Sequence, residues 1–172
     1  MNKVYIAFDP SINSIGFARL DTRMDVIQTA TFKVAKRTTR QDQLMAVRVA
    51  LKSACYIYAK NATHVICEYP DFMNSKRGKI AATQGHTLGL AYVCGYVNGM
   101  ECLASAKKFL PTPMDWKGTT PKGVTLRRFM QWIKHTDVEG SPTDHEVDAA
   151  MMIKWCAEST GDTLPHVSWQ PL

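Results

Sequence analysis

No stretch of this chain stays apolar for the roughly 18 residues a membrane-spanning helix needs. Asp9 interrupts the first apolar run, which a secretory signal does not tolerate. A cytoplasmic protein without a membrane partner is therefore expected. The five cysteines form no CxxC pair and are odd in number, which excludes a disulfide framework and a zinc knuckle. They read as reduced core thiols. With 10 Gly and 8 Pro in 172 residues, punctuation is too sparse for collagen-like or low-complexity structure. Acidic side chains are the minority, 15 against 21 basic, and the net charge of +6 favours an acidic partner.

The charge is unevenly spread. Between Ala104 and Lys134 stand seven basic residues, Lys107, Lys108, Lys117, Lys122, Arg127, Arg128 and Lys134, against the single acid Asp115. From Asp137 to Leu172 the balance inverts to seven acids and one lysine.

Val4 to Phe8 is a short β-branched and aromatic run that Asp9-Pro10 terminates, so it reads as a strand. Ile15 to Leu20 and Val26 to Val34 read as two more, giving an antiparallel opening. From Gln41 to Lys60 apolar positions Leu44, Val47, Val49, Leu51, Ala54, Cys55 and Tyr58 recur at helical spacing. Thr63 to Cys67 is a buried-type strand running straight into Glu68, Ile80 to Val97 a glycine-containing helix, and Glu101 to Ala106 a short fifth strand. A helix follows over Val124 to His135. Thr143 and Glu146 form a capping box for a last helix whose apolar stripe is Ala149 to Ala157. The expected fold is α/β, a mixed five-stranded sheet flanked by helices in one domain over residues 1–160, with 161–172 as a loose tail.

Three places carry chemistry: Asp9 ending strand one, Glu68 ending strand four, and the start of the last helix with His145 and Asp148 three apart on one face. A carboxylate closing a buried strand is costly unless paired or ligating. If strands one and four are neighbours, Asp9, Glu68, His145 and Asp148 converge. Such an oxygen-rich set, free of cysteine, suits Mg²⁺, with Mn²⁺ as a substitute, and two such ions per site cleave phosphodiesters. Asp144, at the first helical position, reads as a partner of the helix dipole. Lys117, Lys122, Arg127 and Arg128 flank a loop and helix start suited to phosphate contact, and Trp116 either stacks on a base or packs.

Asp9-Pro-Ser-Ile-Asn-Ser-Ile-Gly16-Phe-Ala resembles the opening motif of RuvC-type Holliday junction resolvases, Ile66-Cys67-Glu68 resembles their second acidic strand end, and His145-Glu-Val-Asp148-Ala149-Ala150 their terminal helix. Gln84-Gly85-His-Thr-Leu-Gly89 and Pro121-Lys122-Gly123-Val124-Thr125 are similar to the family's second helix and basic loop. The resemblance spans about residues 3 to 158. It implies an RNase H-like fold, a homodimer, and Mg²⁺-dependent cutting of two symmetric strands of a four-way DNA junction. It also implies an aromatic wedge just after Glu68, for which Tyr69 and Phe72 are available. Ser11 stands where the family has glycine, and Lys117 and Lys122 are closer together than is usual in bacterial members. The compact length fits a phage-encoded member acting in the host cytoplasm.

The expected dimer interface is the helix over Ile80 to Val97, where Gly85 and Gly89 allow close approach and Leu88, Tyr92 and Val93 offer apolar area. Two other functions stay open: an RNase H-like nuclease on RNA or other branched DNA, and a DNA-binding module without catalysis. The opening motif is also similar to the phosphate loop of actin-like ATPases, which need over twice this length.

Overall fold

Strand β1 (Val4–Pro10) is buried at every position, as the apolar run Val4 to Phe8 requires of a strand covered on both faces, and Asp9 at its end is buried with it. In the computed structural model, which describes residues 2–70, 86–134 and 140–172, β1 lies inside a six-stranded sheet. β2 (Ser14–Asp21) pairs antiparallel with β1, and β3 (Val26–Lys33) antiparallel with β2. β4 (His64–Cys67) runs parallel to β1 on its other side, followed by β5 (Lys107–Phe109) parallel to β4. β6 (Ser168–Pro171) is parallel to β3, so the order is β5-β4-β1-β2-β3-β6.

Side chains alternate between the two faces, as the period of a strand dictates. Ile6, Phe8, Ile15 and Phe17 join the core under α1 (Arg40–Tyr58) and α2 (His86–Asn98). Tyr5, Ala7, Ala18, Leu20 and Ile66 face the opposite core, built with α4 (Lys122–Trp132) and α5 (Asp144–Ser159). The short α3 (Pro113–Trp116) lays Trp116 against that second core.

Several expectations need correction. The sheet has six strands rather than five, because the segment expected as a loose tail pairs with β3. Trp169 is buried there and its indole N–H donates to the Thr29 hydroxyl at 2.8 Å. Glu101–Leu103 is a 3-10 turn, and the fifth strand begins only at Lys107. Lys107 and Lys108 place charge on that sheet edge, which discourages further pairing. α4 starts two residues earlier than expected, directly after Pro121, whose φ of −64° suits a helix entrance. Val49 is exposed, and the buried face of α1 instead includes Gln43. The Gln43 side-chain amide donates to the Ile12 carbonyl at 2.6 Å, while its oxygen accepts from the Arg37 N–H at 2.7 Å. Cys102 is exposed, unlike the other four cysteines, and all five are free thiols. Thr143 caps α5 by accepting from the Glu146 N–H, but the Glu146 carboxylate does not complete the box. It accepts instead from the hydroxyls of Thr29 at 2.9 Å and Thr31 at 2.8 Å, latching the helix start to β3.

α5 crosses the sheet where β2 has a glycine. A Cβ at Gly16 would lie 2.2 Å from the carbonyl oxygen of His145 and 2.7 Å from its Cβ. Backbone cannot give way there as a flexible side chain would. Gly16→Ala is therefore expected to destabilise the fold by about 1–3 kcal/mol, as overpacking does. Gly95, in the last turn of α2 with nothing within 4 Å of its Cβ position, is the control. Gly95→Ala is expected to stabilise by up to about 1 kcal/mol. Equal denaturation midpoints for the two variants would contradict this packing.

Candidate active site

Two parities bring the carboxylates together. Asp9 follows Tyr5 and Ala7 on the α5 face of β1, and Glu68 follows Ile66 on the α5 face of β4. β1 and β4 are in register with Phe8 opposite Cys67, and the Glu68 N–H donates to the Phe8 carbonyl at 3.1 Å. The two acids thus leave adjacent parallel strands side by side. Asp9 is also paired with Gly16 across the β1–β2 ladder, the position against which α5 rests. The first turns of α5 accordingly present His145 and Asp148 to the same spot.

Each acid has a definite partner. The His145 Nδ1–H donates to Asp9 Oδ2 at 2.5 Å. The Trp116 indole N–H donates to Glu68 Oε2 at 2.7 Å. The ammonium of Lys117 donates to Asp148 Oδ2 at 2.8 Å and lies 3.8 Å from Glu68 Oε2, so it bridges the two acids. It also lies over the Trp116 ring, 4.5 Å from the centroid. Among the described residues, no three His, Cys, Asp or Glu side chains form a ready-made metal cage.

The electrostatics follow from burial and like charge. Burial pushes the Glu68 carboxyl up to about 7, with Asp9 and Asp148 adding to the rise and Lys117 and Trp116 opposing it. Asp148 is raised by burial despite its bond to Lys117. His145 is raised by the hydrogen bond to Asp9, against the cost of burial. Burial works against the Lys117 charge, yet Glu68 and Asp148 together hold its ammonium above the ordinary value.

Asp9, Glu68, His145 and Asp148, the four residues expected from the sequence, are thus brought together. Asp144 stays apart, exposed and paired with Lys122 at 3.2 Å. Of the four basic residues expected to meet phosphate, Lys122, Arg127 and Arg128 are exposed, whereas Lys117 sits among the carboxylates. Trp116 packs and at the same time holds Glu68. Tyr69 follows Glu68 directly and its N–H donates to the Pro111 carbonyl at 2.8 Å. Phe72 and Gly85 lie outside the described residues. A second basic stretch, Lys33, Lys36 and Arg37, is exposed at and just after the end of β3, outside the segment expected to meet phosphate. Lys36 and Arg37 border the same surface cavity as Ile12 and Asn13 of the β1–β2 turn. The run Lys36-Arg37-Thr-Thr-Arg40 was the available signal.

Glu68, Asp148 and His145 all bind a proton more tightly folded than unfolded, so stability is present at low pH and lost as pH rises. For Glu68 the window runs from 4.5 to about 7. In chelator, the wild type is expected to lose on the order of 2 kcal/mol between pH 5 and pH 8. Glu68→Gln should remove most of that slope. Denaturant titrations at the two pH values check this, and parallel losses in both proteins would contradict it.

No family model matches the chain, and no curated protein does. Solved structures do match. RuvC of Thermus thermophilus in complex with a Holliday junction substrate aligns with a TM-score of 0.55 at 14% identity, over 91% of this chain and 96% of that one. A second Thermus thermophilus RuvC structure aligns with a TM-score of 0.57, also at 14% identity, over 94% of this chain and 99% of the other. At this identity the likeness is one of architecture. The chain has the RNase H-like fold that RuvC has, with six strands here.

Proposed function

We propose that this protein is a RuvC-type Holliday junction resolvase, a metal-dependent endonuclease that acts as a homodimer on four-way DNA in the cytoplasm. One observation carries the reading: three carboxylates from three separate elements, Asp9, Glu68 and Asp148, converge on one face of an RNase H-like sheet. The likeness to a structure solved with a Holliday junction substrate supports it.

The donor set fits hard divalent ions. Carboxylate oxygens and one imidazole surround a place where a cation, the Lys117 ammonium, already sits between Glu68 and Asp148. Asp9, Glu68, Asp148 and His145 would hold two Mg²⁺, or Mn²⁺, whose chemistry when bound would be to activate water and stabilise the leaving oxygen. The chain's own residues do the rest. His145 orients the Asp9 carboxylate through Nδ1, leaving Nε2 for a substrate oxygen or a ligand role. Trp116 fixes Glu68 from the side. Lys117, once withdrawn from Glu68 and Asp148, offers its charge to the phosphate. Lys122, Arg127 and Arg128 contact backbone phosphates, and Tyr69 or Phe72 enters the junction.

The interface expected on the second helix needs revision. Gly89 faces Arg40 and Leu44 of the same chain, each 3.3 Å from its Cβ position, and Val93 is buried in the core. Leu88 and Tyr92 are exposed, and they form the surface proposed for the partner protomer.

The Lys117 bridge favours a second reading, a DNA-binding module in which the ammonium neutralises the acids permanently. Cleavage separates the two. With Mg²⁺ the wild type is expected to cut a synthetic four-way junction symmetrically, in preference to flap and linear duplex. Asp148→Asn should lose about a hundredfold or more while still binding, and the wild type should sediment at twice 19.3 kDa. Junction binding without cutting would establish the module. Preferred cutting of an RNA strand would establish the other nuclease activity.

A further inference from the structure

Helix α5 carries the site's chemistry beyond Asp148. Met151 and Trp155 follow at the helical spacings of three and seven, so they continue the same face. At about 1.5 Å per residue, Trp155 lies about 10 Å along the helix from Asp148. Between this face and α4 is a cavity of about 470 Å³, a size typical of small-molecule sites. Trp116 and Lys117, which touch Glu68 and Asp148, also line the cavity. The cavity and the carboxylate cluster therefore share a wall.

The lining is specific in chemistry. Three of the chain's four tryptophans, Trp116, Trp132 and Trp155, border it. Two of these indoles have already committed their N–H groups, Trp116 to Glu68 and Trp132 to the Pro165 carbonyl at 3.0 Å. They have no N–H left to donate and offer π surface. The Thr125 residue is 3% exposed. Alone among the described residues, its hydroxyl is a buried side-chain oxygen without a hydrogen-bond partner, and the residue borders this cavity. A buried hydroxyl in that state has a hydrogen bond still to give to an occupant of the cavity. Arg128 and Lys154 add positive charge beside Lys117, with Lys154 paired to Glu158, the one acid among the described residues that border the cavity.

Stacking surface, one buried hydrogen-bonding group and cationic groups are what an unstacked nucleobase with its backbone phosphate requires. A purely apolar occupant would leave Thr125 and the cations unused. We propose that this cavity takes an unstacked nucleobase of the DNA strand whose phosphate lies at the carboxylate cluster. This rests on the nucleic-acid reading of that cluster. Since about 10 Å is about three base steps of a strand, the base is within about three nucleotides of the cut.

Photo-cross-linking tests it. 5-Iododeoxyuridine is placed singly at each of three nucleotides on either side of the cleavage point of a four-way junction bound in chelator. One or two neighbouring positions are expected to cross-link to Trp155. Cross-links elsewhere only, or none from a bound junction, would overturn the proposal. Should the protein bind no junction, the reading of the cluster falls, and a single-stranded tetrathymidylate then tests the cavity by itself. Quenching of tryptophan fluorescence that weakens about 5- to 150-fold in Trp155→Ala, and at least severalfold in the isosteric Thr125→Val, would uphold it. Quenching that neither variant changes, or no quenching at millimolar concentration, would overturn it. Deoxythymidine monophosphate, run in parallel, tells a free nucleotide from a strand.

Discussion

The start of α5 lies closer to the backbone of β2 than any side chain would permit, and the arrangement of the site depends on that contact. With His145 Cβ only 2.7 Å from where a Gly16 side chain would begin, the helix is set directly over the end of the sheet. Gly16 faces Asp9 across the ladder, so the contact that seats the helix also brings His145 within hydrogen-bonding distance of Asp9. Glu146, one residue on, binds both Thr29 and Thr31 and fixes the helix on the β3 side. Trp169 of β6 donates to the same Thr29, so the C-terminal strand buttresses the latch.

Seated this way, the helix assembles like charges that oppose folding. Three carboxylates share a partly buried space, and the structure tolerates them through the Lys117 ammonium, the Trp116 indole and the His145 imidazole. Such clusters, whose groups are pushed from their ordinary protonation behaviour, are typical of functional sites and costly elsewhere. Here all three groups that hold the carboxylates come from segments that follow β5, which ties the basic stretch of the sequence to the acidic one. The same segments enclose the tryptophan-lined cavity, so the cluster and the cavity belong to one continuous surface.

The sequence revealed the central strands and the four residues that the fold brings together for a shared reason: each depends on a pattern local to one element. The uniform apolar run of β1, the buried end of β4 at Glu68 and the three-residue spacing of His145 and Asp148 can all be read without knowing what lies opposite. What was missed depends on distant partners. Strand β6 is four residues with a proline, and only its pairing with β3 makes it a strand. Gly89 reads as an interface glycine until α1 is seen to cover it. Lys117 reads as a phosphate contact from the basic loop it flanks, and its pairing with the acids is invisible locally because those partners lie 49 residues before it and 31 after. Glu146 completes a capping box in sequence, but the two threonines of β3 compete for its carboxylate and win.

The claim that this cluster is built for a divalent cation, with Lys117 holding the place beforehand, is tested most directly by a crystal structure of the protein grown with Mn²⁺ and measured at a wavelength that reveals manganese. The expected result is anomalous density bounded by Asp9, Glu68 and Asp148, with the Lys117 ammonium withdrawn from Glu68 and Asp148. A Lys117 that still bridges the two acids, with no manganese beside them at millimolar Mn²⁺, would contradict it.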